Sequence, residues 1–64
     1  MLDFQERVIK ERDELGEKKI ALHKFFGTEV FSNLPVDEQV RLRLQHEYMG
    51  LYYEVLADRI QKFK

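Results

Sequence analysis

Tyr48, Tyr52 and Tyr53 place phenol groups on successive turns of one stretch, and Arg41, Arg43 and Arg59 lie on the same stretch. Arg7, Lys10 and Lys18 lie on an earlier one. Aromatic faces stack on bases, and Arg or Lys neutralises phosphate. Together such side chains can hold a small nucleotide at a junction between subunits. They also have a plainer use, in which tyrosines cover a small core and the cations are solvated or paired with neighbouring Glu. Composition alone favours the plainer use.

Catalytic chemistry is hard to find. The chain has two histidines, His23 and His46, and no cysteine. His46-Glu47 lacks the second histidine that a zinc-binding helix motif needs. Glu11 with Glu14, and Asp37 with Glu38, read as solvated helix faces in so charged a chain. Ser32 has no nucleophile elbow or base, and no Gly-rich phosphate loop is present. No enzyme, no metal site and no cofactor is expected.

The elements that must position these residues follow from periodicity. The stretch from Pro35 to Phe63 reads as one long helix. Pro35 suits a first turn, where its missing N–H would be unpaired anyway. Asp37 and Glu38 favour the positive end of the helix dipole, and Lys62 and Lys64 the other end. Leu42, Met49, Leu56, Ile60 and Phe63, with Tyr53 beside them, make one apolar face. Val40, Leu44, Leu51 and Val55, with Tyr48 between, make a second on nearly the opposite side. A helix wet on its back does not need that second stripe.

A first helix is expected from Asp3 to Phe26. Asp3 reads as its N-cap, with Glu6 completing a capping-box-like pair. Phe4, Val8, Leu15 and Leu22, with Phe25 or Phe26, form its main stripe, and Glu11 and Lys18 fill the gaps at seven-residue spacing. Leu2, Ile9, Gly16 and Ile20 form a weaker second stripe. Gly27 is placed as a left-handed C-terminal residue. Thr28 can cap a short turn, TEVFSNL, whose Phe31 and Leu34 plug the end. Gly16 and Gly50 cost about 1 kcal/mol each relative to Ala, and are either tolerated surface glycines or places where another backbone comes close.

Sixty-four residues make one small domain, which buries only about 60 % of its unfolded surface. With no cysteine there is no disulfide to help, so oligomerisation is the expected route to more burial. Formal net charge is -1, from Lys+Arg 11 against Asp+Glu 12, and the signs are interleaved. A duplex nucleic-acid binder would show a basic stripe instead. No apolar run approaches the ~18 residues of a membrane span, and the N-terminus has no hydrophobic signal region. A soluble cytosolic protein is expected.

These readings combine into an all-α fold: residues 1–64 form a single antiparallel two-helix hairpin with a short helical turn between, assembling as a dimer or tetramer into an oligomeric helix bundle. Counting evenly outward from the turn puts Leu22 near Leu42, Leu15 near Met49, Val8 near Leu56 and Phe4 near Ile60. Lys18 then falls level with Gln45 and His46, and Glu11 with Tyr52 and Tyr53.

The chain as a whole resembles a widespread family of very short phage-encoded proteins. The pattern is carried by Arg7, Val8, Glu11, Leu15, Lys18, Leu22, Phe25, Phe31, Leu34, Glu38, Gln39, Arg41, Leu42, Gln45, Met49, Tyr52, Leu56, Arg59 and Ile60. Most are core positions that any hairpin shares, so the polar ones carry the specificity. The resemblance implies an oligomeric sponge that sequesters cyclic nucleotides made by bacterial antiphage systems of the CBASS type, in the cytoplasm of the infected host. The partner it implies is a cyclic di- or trinucleotide, bound without turnover. A two-fold-symmetric cyclic dinucleotide matches a site between symmetric subunits. The candidate ligand-binding residues are Arg7, Lys18, Arg41, Gln45, Tyr48, Tyr52 and Arg59. Glu11 is given a structural role instead, paired with Lys18 or with a tyrosine hydroxyl. The alternative from another class is an oligomeric interaction module that binds a host or phage protein and no small ligand; an apolar patch left exposed would favour it.

Overall fold

The computed structural model describes residues 2–63. Three helices follow one another: α1 over Asp3–Phe25, α2 over Glu29–Ser32 and α3 over Val36–Gln61. There is no strand among the described residues. Lys64, expected with Lys62 to favour the end of the last helix, lies outside them.

The helix ends show which local signals decide. α1 begins one residue earlier than a capping Asp3 would allow. Leu2 holds the cap position with extended backbone, and its N–H donates to Gln5 Oε1 at 3.1 Å. Asp3 is thus the first helical residue, and Gln5 rather than Glu6 reaches back. Both acids still sit in the first turn, where the helix dipole favours them. Gly27 does not take the left-handed conformation expected of it, since no described residue has a positive φ. Thr28 ends α1 instead: its hydroxyl donates to the carbonyl of Phe25 at 2.7 Å and accepts the N–H of Phe31 at 3.2 Å. One side chain thereby closes α1 and caps α2. Pro35 is the N-cap of α3, with φ -54.

α1 and α3 lie side by side, and their contacts run in opposite order along the two helices. Phe4 stacks edge-on against Phe63 at 5.8 Å between ring centroids. Lys19 lies against Gly50. His23 stands 5.7 Å from His46. Val8, Phe31 and Leu56 are the buried side chains, Leu56 completely so. Phe31 and Leu34 do close one end, Phe31 being buried and Leu34 half-buried.

The register departs from even counting at both ends. Phe4 meets Phe63 where Ile60 was expected. His46 meets His23 and Phe26, the latter at 5.4 Å. The cause is α2. Phe26, just past the end of α1, lies 5.0 Å from the Arg43 guanidinium carbon. The first seven residues of α3, about 10 Å of helix, therefore run on past the end of α1. α2 packs over that overhang. Phe31 also stacks on Phe26 at 4.9 Å and under Arg43 at 5.2 Å. Gln39 binds the turn from below, its Nε2 donating to the carbonyls of Ser32 at 3.2 Å and Leu34 at 3.0 Å.

Neither helical glycine is approached by another backbone. A Cβ at Gly16 would stand 3.1 Å from the Tyr53 ring, whereas one at Gly50 would meet only the end of the Lys19 side chain at 3.3 Å. Lys19 can swing aside at little cost, and the half-buried Tyr53 ring cannot. Gly50→Ala should therefore realise most of the ~1 kcal/mol helix-propensity gain, while Gly16→Ala should gain less or lose. Leu56→Ala should cost about 2–5 kcal/mol, a large part of the ~3–10 kcal/mol expected for a chain of this length. Thermal unfolding followed by circular dichroism ranks the three variants. Equal stabilisation by both glycine substitutions would refute the packing argument.

Candidate functional site

The candidate site grows from the two flanks of α3. Residues 45, 48, 49 and 52 recur at helical spacing beside the α1 contact, with 41 and 44 one turn earlier. With Leu15 of α1, the side chains of Arg41, Leu44, Gln45, Tyr48, Met49 and Tyr52 line an open cleft of about 590 Å³. That volume lies within the ~300–1,000 Å³ of small-molecule sites, which pair an apolar and aromatic lining with a few polar groups. Leu15, Leu44 and Met49 supply the apolar wall.

Four of the seven candidate residues thus come together: Arg41, Gln45, Tyr48 and Tyr52. Arg7 does not join them. It shares a separate, mixed-charge surface with Asp3, Glu6 and Lys10 on α1. Lys18 is exposed and outside the cleft lining. Arg59 is exposed too, yet lies close enough to Tyr52 to act on its phenol electrostatically.

Two contacts set the electrostatics. Arg41 is held by acids of its own first turn, at 2.9 Å from Glu38 Oε1 and 3.3 Å from Asp37 Oδ2. These pairs are solvent-exposed, so each is worth at most about 1 kcal/mol, and the guanidinium can exchange them for another anion. The Tyr52 hydroxyl donates across the helix pair to Glu11 Oε2. Glu11 thus takes the structural role expected of it, with a tyrosine rather than with Lys18. The hydrogen bond to Glu11 is the first cause of a raised Tyr52 pKa; loss of water and the charge of Glu11 push the same way, and Arg59 opposes them.

His23 and His46 face one another outside this cleft. The described residues contain no group of three His, Cys, Asp or Glu able to hold a metal ion. Periodicity did not place Leu15, Leu44 and Met49 in a site, although Leu44 stood out as a member of the second stripe.

The phenol form of Tyr52 is favoured in the folded chain. The stability from this contact is therefore complete below the usual tyrosine value of about 10 and is lost as pH rises through the raised value. In a spectrophotometric tyrosine titration, one component should run above the usual range. Glu11→Gln should lower that component, and Tyr52→Phe should abolish it. An unchanged titration in Glu11→Gln would show that the contact does not exist in solution.

Comparison with known proteins places this geometry. An uncharacterized 7.5 kDa protein from the denB-rIIB intergenic region of Enterobacteria phage T4 is 41% identical over 64 residues, which are the whole of both chains. No solved structure matches. A family model described as Sequestin matches residues 2–62, nearly the full length. The similarity to short phage proteins is thus met from two sides, and the chain belongs to the Sequestin family.

Proposed function

We propose that this protein binds and sequesters a cyclic oligonucleotide signal of bacterial antiphage defence, such as a cyclic dinucleotide, without turnover. The observation that carries the reading is the cleft, where two tyrosines, an exchangeable arginine and Gln45 share one apolar wall. The family's name speaks of sequestration, and the phage T4 relative points to a phage acting inside its bacterial host. No described helix is long and apolar enough to cross a membrane, which suits that setting.

The electrostatics orient the ligand. Glu11 repels phosphate near Tyr52, so Tyr52 serves as a base platform. Arg41 takes a phosphate in exchange for Asp37 and Glu38, and the amide of Gln45 is free to read a base edge. Arg59 offsets the Glu11 charge. Arg7 and Lys18 are left to more distant roles.

The protomer of this reading is a single domain, an antiparallel helical hairpin that associates as a dimer or tetramer. Val40, Leu44, Tyr48, Leu51 and Val55 are 41–61% exposed and run in a line along α3, so a lone chain leaves a whole apolar face wet. The same stripe is what favours the second reading, a face for a host or phage protein.

Isothermal titration with 3′,3′-linked cyclic dinucleotides and cyclic trinucleotides should give saturable heat. Tyr52→Ala should lose about 1–3 kcal/mol of stacking per base, with Tyr52→Phe as a control that keeps the platform. Arg41→Ala should lose about 1.5–3 kcal/mol. Each variant is first checked for helicity. Neither heat nor thermal shift across the panel would put the protein-binding reading ahead, and linearised nucleotide after incubation would refute the absence of turnover. Leu51→Glu should dissociate the assembly in light scattering, whereas Leu42→Glu should unfold the chain.

A further inference from the structure

We propose that the flank of the helix pair away from the cleft carries a second, separate ligand site, in which Lys19, Lys24, His23 and His46 take a compact anion of the phosphate class. This site does not rest on the reading of the cleft given above.

The first observation is how the fold gathers charge. Residues 18–28 and 39–46 hold Lys18, Lys19, Lys24, Arg41 and Arg43, out of Lys+Arg 11, and none of the Asp+Glu 12. Along the sequence these are two short gaps between acids. In the structure they are neighbours: His23 faces His46, and Phe26 meets both His46 and Arg43. The turn end of the rod is therefore basic, on a chain whose net charge is -1. Such a patch attracts anions that the chain as a whole does not.

The second observation is where the cations stand. Arg41 lies in the cleft and is held by Asp37 and Glu38. Lys19, Lys24, His23 and His46, with Ile20 among them, line a different hollow of about 300 Å³, and no acid lines it. That volume is at the lower edge of the ~300–1,000 Å³ of small-molecule sites, which suits a compact anion. The hollow shares no residue with the exposed stripe of α3.

The third observation is that the donors are uncommitted. Among the described residues, neither lysine stands within ion-pair distance of an acid, and neither imidazole is hydrogen-bonded to a side chain. Lys19 is half-buried. Its stem lies against α3 at Gly50, with Nζ 3.3 Å from where a Cβ would stand, one turn along from His46. Glu47 and Glu54 border the next hollow, which Lys19 and His46 share, and so limit the site on that side. An ammonium offers three N–H donors and a neutral imidazole one, a set that suits a group with several anionic oxygens. Facing imidazoles can also hold a metal ion. Two ammonium groups beside them repel a divalent cation, and they belong to no group of three metal ligands, so charge decides for the anion.

His23 and His46 are the chain's two histidines, so their imidazole C–H signals in NMR report the site directly. Titration with inorganic pyrophosphate should shift both signals and saturate. Lys24→Glu, at an exposed position, should weaken this binding about tenfold or more. Lys10→Glu makes the same charge change roughly 20 Å away along α1, beyond a Debye length, and should leave the affinity within about twofold. Circular dichroism first checks that both variants keep their helices. Equal weakening by the two would mean attraction by net charge alone and overturn the proposal. So would signals that do not move, or that sodium chloride at the same ionic strength moves as far, which is an adventitious ion only. Guanosine diphosphate then separates the sources. A matching shift supports a site for nucleotide-borne diphosphate, and a shift with pyrophosphate alone supports one for the free anion.

Discussion

A two-helix layer has almost no inside, and that constraint governs the rest of this structure. Each long helix touches one neighbour, so only a narrow strip of each can be dry. Among the described residues, Val8, Phe31 and Leu56 are the ones buried, and two of these lie on the long helices. Phe31 is the exception. The short α2 folds Phe31 over the end of the pair, against Phe25, Phe26 and the flat face of Arg43. A chain of this size has no better place to find core than by capping its own open end.

That cap explains what the sequence made legible and what it did not. Period and composition were enough to place α1, α2 and α3 within a residue or two, and to read Thr28, Phe31 and Leu34 as the plug. Register was legible in the middle, where Glu11 meets Tyr52 and Leu15 shares a cleft wall with Met49, and not at the ends, because there it depends on how much of α3 the plug covers. Phe4 finds Phe63, and His46 finds His23, since the first turns of α3 are used to seat α2. Gly27 misled for a related reason. A helix-ending glycine is useful when nothing else satisfies the last carbonyls, and here the Thr28 hydroxyl does so.

The candidate site was half legible. Arg41, Gln45, Tyr48 and Tyr52 share a helix, so spacing alone could show that they share a side. Arg7 and Lys18 sit on α1, and their separation from the cleft turns on register and on the rotation of one helix against the other. Glu11 is more telling. An acid in a gap of an apolar stripe invites a search for a partner; Glu11 is exposed, so water also serves it, and the cross-helix phenol of Tyr52 is the side chain that meets it.

The same contact gives the cleft its polarity. Hydrogen bonding to Glu11 holds the Tyr52 hydroxyl from one side, and so limits the rotation of the ring that lines the cleft. A preorganised platform loses less entropy on binding than a free one. Its cost is a carboxylate within reach of any anionic ligand. Arg41 answers that cost at a distance. It stands in the second turn of α3, where the helix dipole disfavours a cation, and Asp37 and Glu38 hold it there. Under the proposed reading, a phosphate at that end would exchange with Asp37 and Glu38 for the Arg41 guanidinium, helped by the positive end of the helix, while a base at Tyr52, being uncharged, would meet no repulsion from Glu11. On the same reading, this arrangement would separate the two halves of a nucleotide along one helix, with the phosphate toward the start of α3 and the base toward its middle.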